Sequence, residues 1–181
     1  MYLHKKLNLG CGADLREGWV NHDVVPLSGV DIVHDLTDFP WPFPDAAFTE
    51  IVLINVLEHL PDCIATMEEL FRIAAPGCRI VIRVPFWNSP DAISDPTHRK
   101  LFNEQSFDFF VPGSRHHERR PYYSHARFAI VRRHFWVRGF GRYARIDNGA
   151  LQSLLVAFAR FLGGVIWVEE FELRAIKNYE S

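Results

Sequence analysis

The 181-residue chain has only three cysteines, Cys11, Cys63 and Cys78, and no two of them form a C-x-x-C pair. That scarcity argues against a disulfide framework and against a structural zinc site, so no metal is expected, and reduced thiols point to the cytoplasm. The first residues, MYLHKKLNLG, lack a charged region followed by an apolar one, so no secretory leader is expected. A membrane-length apolar run is also missing: the longest candidate, Gly149 to Val168, is broken by Gln152, Ser153, Arg160 and Gly163-Gly164. Internal repeats and low-complexity tracts are absent. Two phosphate-binding signatures are missing as well. After Gly10 and Gly12 come Asp14 and Leu15 rather than a third glycine, and no Gly-Lys-Ser/Thr occurs, which argues against dinucleotide and triphosphate ligands.

What is present suits one α/β domain spanning 1–181, since this length with 48% hydrophobic residues can bury a sizeable core. Short apolar runs, KLNL, WVNHD, VDIVHD, FTEIVLIN and CRIVIRVP, read as strands of a mostly parallel sheet. Between the last two, Ile64, Met67, Leu70, Phe71 and Ala74 recur at helical spacing, and Pro76-Gly77 is expected to stop that helix. Pro40, Pro42 and Pro44 make 39–47 a loop. A short helix is expected near Glu104 to Phe110, capped by Asn103. The tail reads as a long strand over ARFAIVRRHFWVRGF, a helix near Ala150 to Leu162 and a closing strand WVEEFELRAIK, the two strands forming an antiparallel edge pair.

In an open parallel sheet, ligands bind outside the carboxyl ends of the strands. Those ends carry Gly10-Cys11-Gly12, Asp23, Asp35-Leu36, Asn55 with Leu57-Glu58-His59-Leu60, and Pro85-Phe86-Trp87. Glycines after a strand let backbone approach a ligand, because no Cβ intervenes. Asp23 can accept from both hydroxyls of a ribose, and Asp35 from an exocyclic amine such as that of adenine, with Leu36 against the ring. Asp23 comes only thirteen residues after Gly10, too soon for a long intervening helix. A nucleoside without phosphates satisfies this set. Cys11 could act as a nucleophile, but no histidine lies close to it in sequence, and it reads first as a small filler of the glycine loop.

LNLGCG, Asp23, DIVHDLTDFPWPFPDAAFTEIVLINVLEHL and EELFRIAAPGCRIVIRVP, in this order over most of residues 5 to 110, resemble the class I S-adenosylmethionine-dependent methyltransferases, in particular a short branch with a GWVNHD-type second strand. DPTHRKLFNEQSF and FELRAIK resemble segments of the same branch. The resemblance implies a seven-stranded Rossmann-like sheet, mostly parallel, with helices on both faces and the last strand antiparallel. It implies S-adenosylmethionine as cofactor and S-adenosylhomocysteine as product. It places Gly10 and Gly12 at the methionine part, Asp23 at the ribose, Asp35 and Leu36 at adenine and Asn55 near the methionine amino end, with Asn8, Cys11, Val24 and Val56 also among the cofactor-binding residues. Asn8 stands where many relatives have an acid, and Asp14 where many have a third glycine.

The sulfonium methyl is already activated, so a protein base is needed only if the acceptor carries a proton of high pKa; His59 or His98 is expected as base or as acceptor orienter. Residues 1–112 hold 16 acids and 8 basic residues, whereas 113–145 hold one acid and nine arginines without a lysine. Arginine forks bind anions and aromatics stack on rings, so Trp87, Arg99, Arg115 and Tyr122 are expected at the substrate, carried by segments near 86–125 and 141–166. A small anionic or glycosylated acceptor follows. The same arginines could equally line a solvated strand face and pair with the acidic half. Two other classes stay open: an RNA-binding methylase, with salt-sensitive affinity, and a non-catalytic nucleoside-binding regulator. LLVAFARFL could serve as core, as a homodimer contact or at a membrane surface.

Overall fold

The computed structural model describes residues 5–139, 142–147 and 149–177. Four apolar runs become parallel strands: β1 (Lys5–Leu9), β2 (Val20–Asp23), β3 (Ile32–Val33) and β4 (Phe48–Ile54). They are joined by β5 (Ala74–Pro85), and the tail adds β6 (Phe128–Gly139), β7 (Arg142–Ile146) and β8 (Val168–Ala175). The eight strands lie in one sheet in the order β3-β2-β1-β4-β5-β8-β6-β7. The first five are parallel and β8 runs antiparallel to both neighbours. The sheet is therefore Rossmann-like, with one strand more than expected, because Arg142–Ile146 folds back on β6 as a hairpin. The closing strand is not at an edge: β8 sits between β5 and β6, and its alternate residues Glu169, Phe171, Leu173 and Ala175 are buried.

Between β4 and β5 lies α1 (Cys63–Ile73). Asp62 caps it by accepting from the Ala65 amide at 2.9 Å, which satisfies one of the unpaired first-turn donors. Met67, Leu70 and Ile73 are fully buried, each contributing on the order of 1.5–3 kcal/mol, while Ile64 faces outward and Phe71 is half-buried. The helix ends at Ile73, before Pro76-Gly77, because β5 begins at once: Ala74 already pairs with Phe48, and the Pro-Gly step falls in a register shift of that ladder. Residues 104–110 form turns and one 3-10 turn (Asp108–Phe110) rather than a helix; Asn103 closes only its own local turn, accepting from Gln105. Shorter helices α2 (Pro90–Ser94) and α3 (Arg115–Arg119) precede α4 (Gly149–Ala159).

No helix connects β1 to β2, and two buried asparagines take its place. Asn8 donates to Asp14 O at 2.7 Å and to Asn21 Oδ1 at 3.3 Å, and Asn21 in turn accepts from the Arg16 amide at 2.9 Å. The larger apolar core packs β1, β4, β5 and β8 against α1 and Trp41, Phe107 and Phe110; a smaller one gathers Phe86, Phe135, Ala159 and Ile166. Most of α4 is left outside both: Leu154, Phe158 and the following Phe161 are more than half exposed. Among the described residues, no helix is long and apolar enough to cross a membrane.

Candidate functional site

The carboxyl ends of β1, β2 and β4 surround a cavity of about 300 Å³ lined by Gly10, His22, Asp23, Val24, His34, Asp35, Leu36, Asn55, Val56, His59 and Leu60. Gly10 has φ +63, and a Cβ built on it would stand 2.4 Å from Val56 Cγ2. The loop can therefore turn beside Val56 only because residue 10 has no side chain. Asp23 is almost fully buried, and its carboxylate is held from two sides, Oδ2 accepting from the Gly12 amide at 2.7 Å and Oδ1 from the Val25 amide at 3.0 Å. Each oxygen keeps a lone pair for a further donor. Asp35 is exposed; the Thr37 amide bonds its carboxylate and holds it below the usual range. Leu36 is fixed from behind, where Trp41 Nε1 donates to its carbonyl at 3.0 Å.

His22, not singled out from the sequence, also lines this cavity. Burial lowers its pKa, so the ring is neutral. Its Nε2 lies 3.0 Å from the His34 carbonyl, which can only accept, so the proton is assigned to Nε2 and the buried, unpartnered Nδ1 is left as an acceptor. Strand alternation sets His22 opposite Asp23, which hid it; the two reach one cavity because the strand ends there.

Asn55 adopts φ +55, an unusual backbone for a side-chain-bearing residue that asparagine tolerates better than most. It lines the first cavity and two more. The larger of these, about 560 Å³, is walled by Asn55, Glu58, His59, Pro85, Asp91, Ser94, Asp95, Pro96, His98 and Val168. The other, about 260 Å³, adds Arg83, Trp136 and Tyr143, whose hydroxyl lies 3.2 Å from Asp91. His59 is common to the nucleoside-sized cavity and the largest one.

The floor of the largest cavity is the 3-10 turn Leu57–His59, and its roof is the 91–98 segment. The two are tied by backbone: the Arg99 and Lys100 amides both donate to Glu58 O, at 2.8 and 3.2 Å. Glu58 is 1% exposed, and neither of its carboxylate oxygens has a hydrogen-bond partner. Burial pushes its carboxyl up to about 7. The His59 and His98 rings meet edge to face at 4.7 Å, and one ligating atom from each of Glu58, His59 and His98 lies within 4.8 Å of the other two. No spacing rule led to this cluster, since Glu58 and His98 are forty positions apart.

The remaining predicted residues lie elsewhere. Asn8 is beneath the glycine loop, its amide donating to Asp14 and Asn21, and it does not line the cavity. Cys11 is buried in the loop, and burial together with Asp23 raises its thiol pKa, so it is a filler and not a nucleophile. Trp87 stands beyond the cavities, its amide donating to Phe102 O, and Arg99 acts through its backbone. Arg115 and Tyr122 are outside as well, because α3 folds back on the 108–110 turn through His117, whose ring bonds Phe109 O at 3.0 Å. Among the described residues, no arginine of 113–145 lines any of the three cavities. Arg127 bonds the Ser124 and Ala126 carbonyls, Arg133 stacks on Phe171, Arg138 on Trp167, and Arg145 pairs with Asp147. Phe140 and Gly141 of that segment lie outside the described residues.

The family described as methyltransferase domain matches residues 5–135. No curated protein matches the chain in sequence. Among solved structures, an S-adenosylmethionine-dependent methyltransferase from Archaeoglobus fulgidus is similar with a TM-score of 0.59 and 16% identity, over 95% of this chain and 86% of that one. A possible histamine N-methyltransferase from Thermotoga maritima gives 0.55 and 10%, over 92% and 80%. The [4+2]-cyclase SpnF gives 0.56 and 13%, over 97% and 76%. At these identities the likeness is one of fold, and the cyclase among them shows that the fold does not dictate the reaction.

Proposed function

The chain belongs to the methyltransferase-domain family, the class I S-adenosylmethionine-dependent methyltransferases, and we propose that its adjoining cavities are the donor and acceptor pockets of one methyl transfer. The observation that carries this reading is the shared wall: Asn55 and His59 face both the cavity built around Asp23 and the larger one beneath residues 91–98. When bound, S-adenosylmethionine supplies a methyl already activated on a sulfonium. The work left to the protein is alignment and exclusion of water, worth up to roughly 7–11 kcal/mol in well-oriented reactions.

The residues present fit that cofactor. Gly10 leaves room for an approach that any side chain would close, and Asp23 offers an oriented carboxylate to a ribose diol. Leu36 meets the base, with Asp35 at its edge and His22 in the wall, and Asn55 holds the methionine end beside the shared wall. His59 and His98 orient the acceptor. The acceptor is a small molecule, anionic or glycosylated. Its pocket is walled by Glu58, Asp91 and Asp95, so an anion enters only with a positive charge between it and these carboxylates.

Isothermal titration of the protein with S-adenosylmethionine tests the donor half. Asp23→Ala removes the acceptor proposed for both ribose hydroxyls and should weaken binding by about 2–4 kcal/mol, at least ~30-fold; it also deprives the Gly12 and Val25 amides of their acceptor, so the thermal midpoint falls too and affinities are compared well below it. Equal affinity in wild type and variant contradicts the assignment. Methyl incorporation from labelled cofactor into a panel of small hydroxylated and anionic acceptors tests the other half; cofactor binding without turnover on any of them favours a regulatory nucleoside-binding role.

A further inference from the structure

We propose that Glu58, His59 and His98 form a binding site for one divalent transition-metal ion, of the Zn2+ class, on the acceptor side of the shared wall.

The argument starts from protons. His98 Nδ1 lies 3.0 Å from the Ala92 carbonyl, which can only accept, so the ring proton is on Nδ1 and Nε2 carries a bare lone pair. That Nε2 is 4.0 Å from Glu58 Oε1 and 3.9 Å from Asp95 Oδ2. The tautomer of His59 is fixed by a relay. Asp95 Oδ1 can only accept from the Thr97 hydroxyl, at 2.6 Å, so that hydroxyl oxygen must itself accept from His59 Nδ1, at 2.9 Å. His59 Nε2 is likewise left with a lone pair. The cluster thus gathers two imidazole lone pairs and a carboxylate with no hydrogen-bond partner on either oxygen. Three acceptors repel one another in a site that excludes water from Glu58; a proton on Glu58, which burial favours, relieves part of that conflict, and a cation held by all three relieves the whole of it.

The chemistry of the donors selects the ion. Two imidazoles and one carboxylate suit first-row transition ions, with coordination positions left for an exogenous ligand. Histidine ligands ordinarily donate the other ring proton to a carbonyl or a carboxylate-linked group, and both rings here do so. A tetrahedral site with bonds of about 2 Å spaces its donors by ~3.3 Å. The present donors lie within 4.8 Å of one another, so binding an ion requires the widest pair to approach by at most about 1.5 Å. For the function of the ion, this inference rests on the reading of the cavity as an acceptor pocket: an oxygen of an anionic or hydroxylated acceptor completes the coordination beside His59, and the ion is the positive charge that Glu58, Asp91 and Asp95 otherwise deny it. Whether the ion binds does not depend on that reading.

Titration of the cofactor-free, chelator-treated full chain with Co2+, followed by visible absorption, tests the site. The expected result is a saturable one-to-one signal displaced by Zn2+. Glu58→Gln and His98→Gln should weaken binding more than about 100-fold, and Thr97→Val, which frees the His59 tautomer from an exposed position, by about 10- to 100-fold. His125→Gln, a histidine paired with Glu68 away from the cluster, should change nothing. Absence of a saturable signal, or one that survives both His98→Gln and Thr97→Val in folded protein, overturns the proposal. Calorimetry with S-adenosylmethionine on the same samples separates the two claims. Metal binding without cofactor binding removes the donor assignment and leaves the ion site; the reverse removes the ion site alone.

Discussion

Gly10 shows how much one side chain would change. Its left-handed backbone already disfavours any other residue, and the built Cβ overlaps Val56, a branched side chain with little freedom to rotate away. Gly10→Ala should cost about 1–3 kcal/mol in urea unfolding and abolish cofactor binding in calorimetry. Adding Val56→Ala removes the overlap but not the backbone strain, so the double variant should recover part of the stability; no recovery would mean that the turn, and not the contact, sets the requirement. Asp23 works the other way. The Gly12 and Val25 amides orient its carboxylate, so loss of the side chain affects ligand and loop together. The glycine and the acid were both legible in the sequence, because each is a local demand of one turn. His22 and Glu58 were not, since their importance comes from partners missing around their polar atoms.

At the scale of elements, the proline loop that presents Asp35 and Leu36 depends on α1. Arg72 donates to the Trp41 and Phe43 carbonyls at 3.0 and 2.8 Å and pairs with Glu69 and Asp45, while Glu69 accepts from the Trp41 amide. Trp41 in turn holds Leu36 through its indole. Arg72→Met keeps the apolar stem and removes this network. It should destabilise the fold by roughly 2–3 kcal/mol, allowing for the exposed half of the Asp45 pair, and weaken S-adenosylmethionine binding through Leu36 although Arg72 touches no cavity. Unchanged affinity would show that the loop keeps its shape without the tie. The helical stripe of α1 was readable from periodicity. Its end was not: Pro76-Gly77 looks like a terminator, but pairing of Ala74 with Phe48 wins three residues earlier.

Across the whole molecule, charge was the clue that left most to the fold. The nine arginines of 113–145 read equally as an anion strip or as a solvated strand face; in the folded chain Arg120, Arg133 and Arg138 stack on aromatics, Arg127 bonds carbonyls and Arg145 pairs with Asp147, while the cavity beneath 91–98 faces carboxylates. A ladder of ion pairs, Lys6–Glu50–Arg79–Glu172 and Arg83–Glu170, crosses the sheet between strands far apart in sequence. Glu169, next in β8, is fully buried, with neither oxygen partnered. Burial raises its carboxyl well above the ordinary value; Arg133 from β6 lowers it and Glu104 raises it further. An acid raised in the folded state favours folding below its unfolded pKa, and that contribution is lost as pH climbs through the folded value. Wild type should therefore lose stability relative to Glu169→Gln as pH rises above the ordinary carboxyl range, by at most ~1.4 kcal/mol per pH unit, until the buried carboxyl ionises. Urea midpoints of the two proteins that stay parallel over that range would disprove it.

Local order in the chain was enough to determine the strand runs, the helix-free turn after β1, the glycine turn and the early acid bonded to it, because each is set by neighbours within a few residues. Only the tertiary structure decided that β8 enters between β5 and β6, that Arg142–Ile146 makes an eighth strand, and that Glu58, His59 and His98 converge. The place of β8 and the convergence of the cluster depend on contacts between segments roughly thirty to ninety-five residues apart, and the eighth strand on a hairpin whose flanking residues carry no apolar alternation to announce it; periodicity shows which face a segment buries but not which distant segment it meets.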